Sequence, residues 1–261
     1  MAVFTQIDTA LERLCGSETA RRISQHGPMN VDGAATKPMG LTRWMDVMLG
    51  FDGLDRAGEK QARPKRARIT SSAPSLPPLG GAAGGTQAHR DMERICRADR
   101  STIGGVLQSV SPYAKQIYKS LCEMGLTLIK TEVRIYDPDL DIVTAIDAVC
   151  CDRRGDTVFV EYKNTNDGRE FQTRGAPVST RVFGDIMFGR DRASLAVMQV
   201  TLAKIIAFVH YGVHANTVAI VITPEKNYLL DKKVKEWSGE KLLCYHRQLR
   251  QLRAARNTDG S

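Results

Sequence analysis

The sequence lacks any apolar run approaching the ~18 residues of a membrane span, and no secretory leader is legible at its start. The first absence argues against a membrane-spanning protein, the second against a secreted one. It also lacks CxxC pairs: Cys15, Cys96, Cys122, Cys150, Cys151 and Cys244 are scattered. The adjacent Cys150 and Cys151 point to opposite faces of a strand, which argues against a shared metal. The six read as reduced, intracellular residues, mostly core. What the chain does have is 261 residues with 42% apolar content, enough for one large domain or a domain with appendages. Its net charge of +8, from 37 Lys and Arg against 29 Asp and Glu, fits an anionic partner and equally fits plain solubility.

The chain is organised around Asp139–Asn164, which reads as two apolar strands joined by a tight turn. Asp147 lies inside the first strand, and Glu161, Tyr162 and Lys163 inside the second. Charges in buried strands are costly unless something compensates them, and a bound cation with a charged substrate does so. Arg153-Arg154-Gly155 fits a three-residue loop with Gly155 in the left-handed position. That register sets Asp147 opposite Glu161, with Cβ atoms roughly 4.5–5.5 Å apart. Lys163 shares their face and Tyr162 points the other way. Two such carboxylates can hold one hard divalent cation. The same pattern also fits a plain hairpin with an ion pair between Glu161 and Lys163.

Asp147, a turn, then Glu161-Tyr162-Lys163 resembles the core signature of the PD-(D/E)XK nuclease superfamily, most closely its RecB-like and lambda exonuclease-like branch. A glutamate strand (Glu132 to Ile135), then TAIDAV, then VFVEYKN, follows the order of that branch, and Gln199 lies on a later helix. The resemblance covers roughly 101–225. It implies an α/β restriction-endonuclease-like core, a central mixed β-sheet flanked by helices, and a Mg²⁺- or Mn²⁺-dependent deoxyribonuclease. Asp147 and Glu161 would bind metal with the Tyr162 carbonyl. Lys163 and Gln199 would serve catalysis. A preceding helix of that branch often adds a carboxylate or histidine, for which Glu93, Glu123 and Glu132 are the local candidates. Where the branch often has histidine after a glycine pair, this chain has Gly104-Gly105 and then Gln108. Some relatives carry an iron–sulfur cluster, but the late cysteine trio it needs is absent.

The rest of the chain falls into three segments. Residues 1–53 carry short helical patterns (Phe4, Ile7, Leu11, Leu14; then Leu41, Trp44, Met45, Met48), read as packing helices or a partner-binding arm. A mitochondrial presequence is disfavoured by Asp8, Glu12 and Glu18. Residues 54–87 read as a disordered linker, with the basic run Arg63–Ile69 resembling a nuclear localisation signal or a run that touches nucleic acid. Residues 88–261 form the folded domain, with helices over 89–98, 111–124 and 193–211 and strands over 127–136, 142–151, 157–163 and 217–223. Strand, helix, strand at the end implies a crossover in a mixed sheet.

Two basic stretches are candidates for contacting DNA. Arg169, Arg174, Arg181 and Arg190 alternate with Phe171, Phe183 and Phe188 in a long polar segment. Arg247 and Arg250, with Arg253 and Arg256, recur every three residues on a basic C-terminal helix. A mobile insertion and a solvated helix are the alternatives. The expected partner is DNA, with a homo-oligomer or a replication or recombination protein as further possibilities. Neither membrane nor small-molecule cofactor is expected. Cutting from an end is favoured, with an endonuclease or an inactive DNA-binding fold as the alternatives. The expected location is the nucleus of a eukaryote or of cells infected by a eukaryotic virus.

Overall fold

The computed structural model describes residues 2–16, 39–49, 82–165, 168–172, 188–223, 226–230 and 237–258. Its helices are α1 (Ala2–Gly16), α2 (Leu41–Leu49), α3 (Ala82–Arg97), α4 (Ile103–Ser109), α5 (Pro112–Glu123), α6 (Arg192–Tyr211) and α7 (Gly239–Thr258). Its strands are β1 (Met39–Gly40), β2 (Thr127–Asp137), β3 (Ile142–Cys151), β4 (Thr157–Asn164), β5 (Asn216–Ile222) and β6 (Asn227–Leu230). Together the strands form one mixed six-stranded sheet with helices on both faces, an α/β architecture.

The local chemistry accounts for the boundaries. Ser111 caps α5 by accepting the Ala114 N–H, and Pro112 takes the first helical position. Gly125, at φ 70°, then turns the chain into β2. Asp191 caps α6 through the Ser194 N–H, and Gly212 at φ 63° ends it. By length and composition α6 passes for a membrane span, but 72% of its apolar window is buried inside the fold.

One core cluster joins α1, α2, α6 and α7 to one face of the sheet, around Leu14, Trp44, Ile146, Phe159, Met198 and Leu249. The other joins α3 and α5 to the opposite face, around Met92, Ile117, Ala148, Val160 and Tyr162. The N-terminal helices are therefore packing helices built into the main core. On α1 the buried positions Ile7, Ala10 and Leu14 repeat at helical spacing, and on α2 Leu41, Trp44, Met45 and Leu49 do so. Helix α3 begins at Ala82, inside the stretch read from sequence as linker. The basic run at 63–69 lies outside the described residues.

β2 pairs antiparallel with β3 over the full length of both strands. The other edge of β3 is shared: β1 pairs at Ile142 and Val143, and β4 pairs at Ala148 through Cys151. The β3–β4 register is the one expected from the turn as far as Ala148 and Val160, but pairing ends there, so the expected facing of Asp147 with Glu161 is not made. Cys151 faces Thr157 and Ala148 faces Val160, while Gly155 sits at φ 90° and the Asp152 N–H bonds the Asp156 carbonyl. β4 continues in parallel pairing with β5, to which α6 is the crossover.

Candidate metal-binding site at a break in the sheet

Asp147 occupies the stretch of β3 edge that β1 and β4 leave between them. The pleat also changes phase there. Ile146 belongs to the α6-side core and Ala148 to the α3-side core, although residues two apart in a regular strand share a face. Opposite this point on β2 stands Glu132, at φ 53°. A non-glycine residue in the left-handed region costs on the order of 1 kcal/mol or more, and such strain concentrates at functional sites. The inversion lets the Asp147 carboxylate reach along the sheet, where Oδ2 accepts the Tyr162 N–H at 3.0 Å.

Three donors converge there. His89, midway along α3, sits with Nδ1 directly against a Glu132 carboxylate oxygen and 3.9 Å from Asp147 Oδ1. Tyr162 lies beneath, its ring centroid 4.9 Å from that of His89 and its hydroxyl 3.4 Å from Nδ1. The side chains grade outward, Asp147 at 11% exposure, His89 at 31% and Glu132 at 42%, so the group opens to solvent. Their ligand atoms lie within 4.8 Å of one another, and the group can hold a metal ion. As arranged, His89 Nδ1 bonds the Glu132 carboxylate, while Asp147 Oδ1 stands beyond hydrogen-bond reach of it.

The electrostatics fit a cation. Burial, and then the charge of Glu161, push the Asp147 carboxyl far up, against the pull of Lys163, His89 and the Tyr162 N–H. Burial alone would lower His89, but its bond to Glu132 and the charges of Asp147, Glu132 and Glu161 outweigh that and raise it. Burial, then the neighbouring carboxylates, lifts the Tyr162 phenol well above its ordinary range. Excess negative charge in a poorly solvated place is what a divalent ion relieves.

Glu161 is buried and pairs with Lys163, Nζ to Oε1 at 2.6 Å. It lies outside the His89–Glu132–Asp147 trio, though its field reaches both His89 and Asp147. By strand alternation from Phe159, Glu161 and Lys163 turn towards the α6 side. Gln199 stands on α6, its Nε2 donating to Thr42 of α2 at 3.0 Å while its buried Oε1 has no hydrogen-bond partner among the described residues. Of the three candidate extra carboxylates only Glu132 joins Asp147. Glu93 pairs with Arg97 and Glu123 with Lys119, each one turn along an exposed helix face.

His89 is the member that sequence reasoning passed over. A histidine on the helix ahead of the sheet was the available signal. Arg169 and Arg190 are exposed, while Arg174 and Arg181 lie outside the described residues. On α7, Arg247 is exposed, Arg250 pairs with Asp139 at 3.4 Å, and Arg253 bonds the Asp139 carbonyl at 2.9 Å. No protein-family model matches the chain, and no curated protein matches it either.

Proposed function

We propose that this protein is a metal-dependent nuclease that hydrolyses phosphodiester bonds in DNA, working from ends, on a restriction-endonuclease-like core. The observation that carries the reading is Asp147: a buried carboxylate at a break between strands, facing a histidine and a second carboxylate, one strand away from a Glu161–Lys163 pair. The resemblance to the PD-(D/E)XK pattern supports it.

Asp147 and Glu132 would supply oxygen ligands to Mg²⁺ or Mn²⁺ beside His89, with Glu161 adding negative charge nearby. Such an ion supplies an activated water and neutralises charge on the phosphate oxygens. The chain's own contribution is positioning. The Tyr162 N–H fixes the Asp147 carboxylate. Glu161 holds the Lys163 ammonium, which in this reading orients the attacking water and offsets charge developing on the phosphate. Gln199 and the basic α7 would contact the strand. End-labelled linear DNA and a closed circle, each with Mg²⁺, Mn²⁺ or EDTA, test the reading. Metal-dependent loss of the linear form alone is expected. Cutting of the circle would replace end-dependent action with internal cleavage, and tight binding without cleavage would reduce the protein to a DNA-binding fold.

A further inference from the structure

A second group of metal-type ligands lies at the far end of β2, and neither the resemblance nor the proposed nuclease uses it. Asp137, the last residue of β2, is fully buried. His210 reaches it from the last turn of α6, Nε2 to Oδ1 at 3.1 Å, and His246 reaches it from α7, Nε2 to Oδ2 at 2.9 Å. The two Nε2 atoms are 3.4 Å apart. Asp139 stands close enough that one ligand atom from each of the four lies within 4.8 Å of the others.

The Nε2–Nε2 separation is that of neighbouring donors in a coordination polyhedron, while the two Nε2–carboxylate contacts, each to its own oxygen, are also of hydrogen-bond length. Donors around a tetrahedral ion with bonds of about 2.0–2.1 Å stand about 3.3–3.4 Å apart. A hydrogen-bonded His–Asp–His clamp needs both imidazoles near the carboxylate, but it does not need two Nε2 atoms to face each other at that distance. The Asp137 carboxylate is also pre-set, because Oδ1 accepts the Leu140 N–H at 2.9 Å. Outer bonds of this kind orient metal ligands. Two imidazoles with carboxylate oxygen suit zinc and its neighbours, whereas magnesium prefers all-oxygen sets.

We propose that His210, His246 and Asp137, completed by Asp139, bind one zinc-class ion that ties α6 and α7 to the end of β2. With Asp137 and His246 buried, the role is structural. The site stands whether or not the protein is a nuclease.

The test uses the full chain carrying Asp147→Asn, so that the other site does not contribute. It is stripped with chelator and titrated with Zn²⁺ alone, then with Co²⁺ as a coloured probe. One ion per chain is expected, with a rise in Tm and the visible absorption of a four-coordinate cobalt site. Adding His210→Ala should weaken binding roughly tenfold or more and abolish the colour. Folded protein that takes up no stoichiometric zinc, or zinc binding unchanged by His210→Ala, would overturn the proposal and leave a hydrogen-bonded clamp. Should His210→Ala fail to fold by circular dichroism, imidazole nitrogen NMR of the Asp147→Asn protein decides. Zinc must shift two histidine rings, and the absence of that shift would equally overturn it.

Discussion

Lys163 is the residue whose two possible meanings diverge most sharply. Its ammonium is held by Glu161 at 2.6 Å. In the proposed reaction that charge acts on the phosphate, so Lys163→Ala should lower cleavage by roughly 10²-fold or more while DNA affinity changes little. The unfolding midpoint should fall, because the buried Glu161 loses its partner. Filter binding and thermal melts beside the cleavage assay distinguish this from a purely structural ion pair, whose loss would lower the melt but leave cleavage by the folded fraction unchanged. A different lysine makes stability depend on pH. Lys204 is buried on α6, and burial pushes its ammonium down to about 8 from the ordinary 10.5. Between those values the unfolded chain binds more protons than the folded one, so stability rises with pH across that window. Lys204→Met should flatten this rise, as urea unfolding at pH 7 and pH 10 would reveal.

At the scale of elements, the β3–β4 hairpin sets the site. Gly155 at φ 90° closes the turn that aligns Ala148 with Val160. Gly155→Ala should cost about 1 kcal/mol or more, read as a lower urea midpoint. An unchanged midpoint would mean that the turn does not strain an alanine. This hairpin was legible because a glycine turn and two apolar runs fix a register. The α5 cap and the β4–α6–β5 crossover were legible for similar local reasons. The pleat inversion at Asp147 was not, because it depends on Glu132 adopting a left-handed backbone, and glutamate carries no such signal. His89 escaped for a related reason. The helix signal begins near His89, but α3 starts at Ala82, which places His89 mid-helix facing β2.

At the scale of the molecule, the two faces of the sheet do different work. The α3 face supplies His89, whereas the α6 face carries most of the core and reaches back to α1 and α2. The sequence pattern of the first helices is amphipathic, but it does not say whether their apolar faces meet the core or a partner. Trp44, fully buried in the core cluster that α6 and the sheet also line, answers that. Trp44→Ala should cost about 3–5 kcal/mol, and a chain starting at Ala82 should lose cooperative unfolding, both checked by calorimetry. Helix α7 shows a similar reassignment, since Arg250 and Arg253 engage the β2–β3 turn and only part of its basic face remains for an external anion.

The most direct measurement is cleavage of end-labelled linear duplex DNA in Mg²⁺ by the wild-type chain and by Asp147→Asn, with DNA affinity and melting recorded on the same samples. The predicted result is cleavage that EDTA stops and that Asp147→Asn removes by roughly 10²-fold or more, with binding and fold intact. Equal cleavage by both proteins, or none by a folded wild type that binds DNA, would contradict a metal-dependent nuclease centred on Asp147.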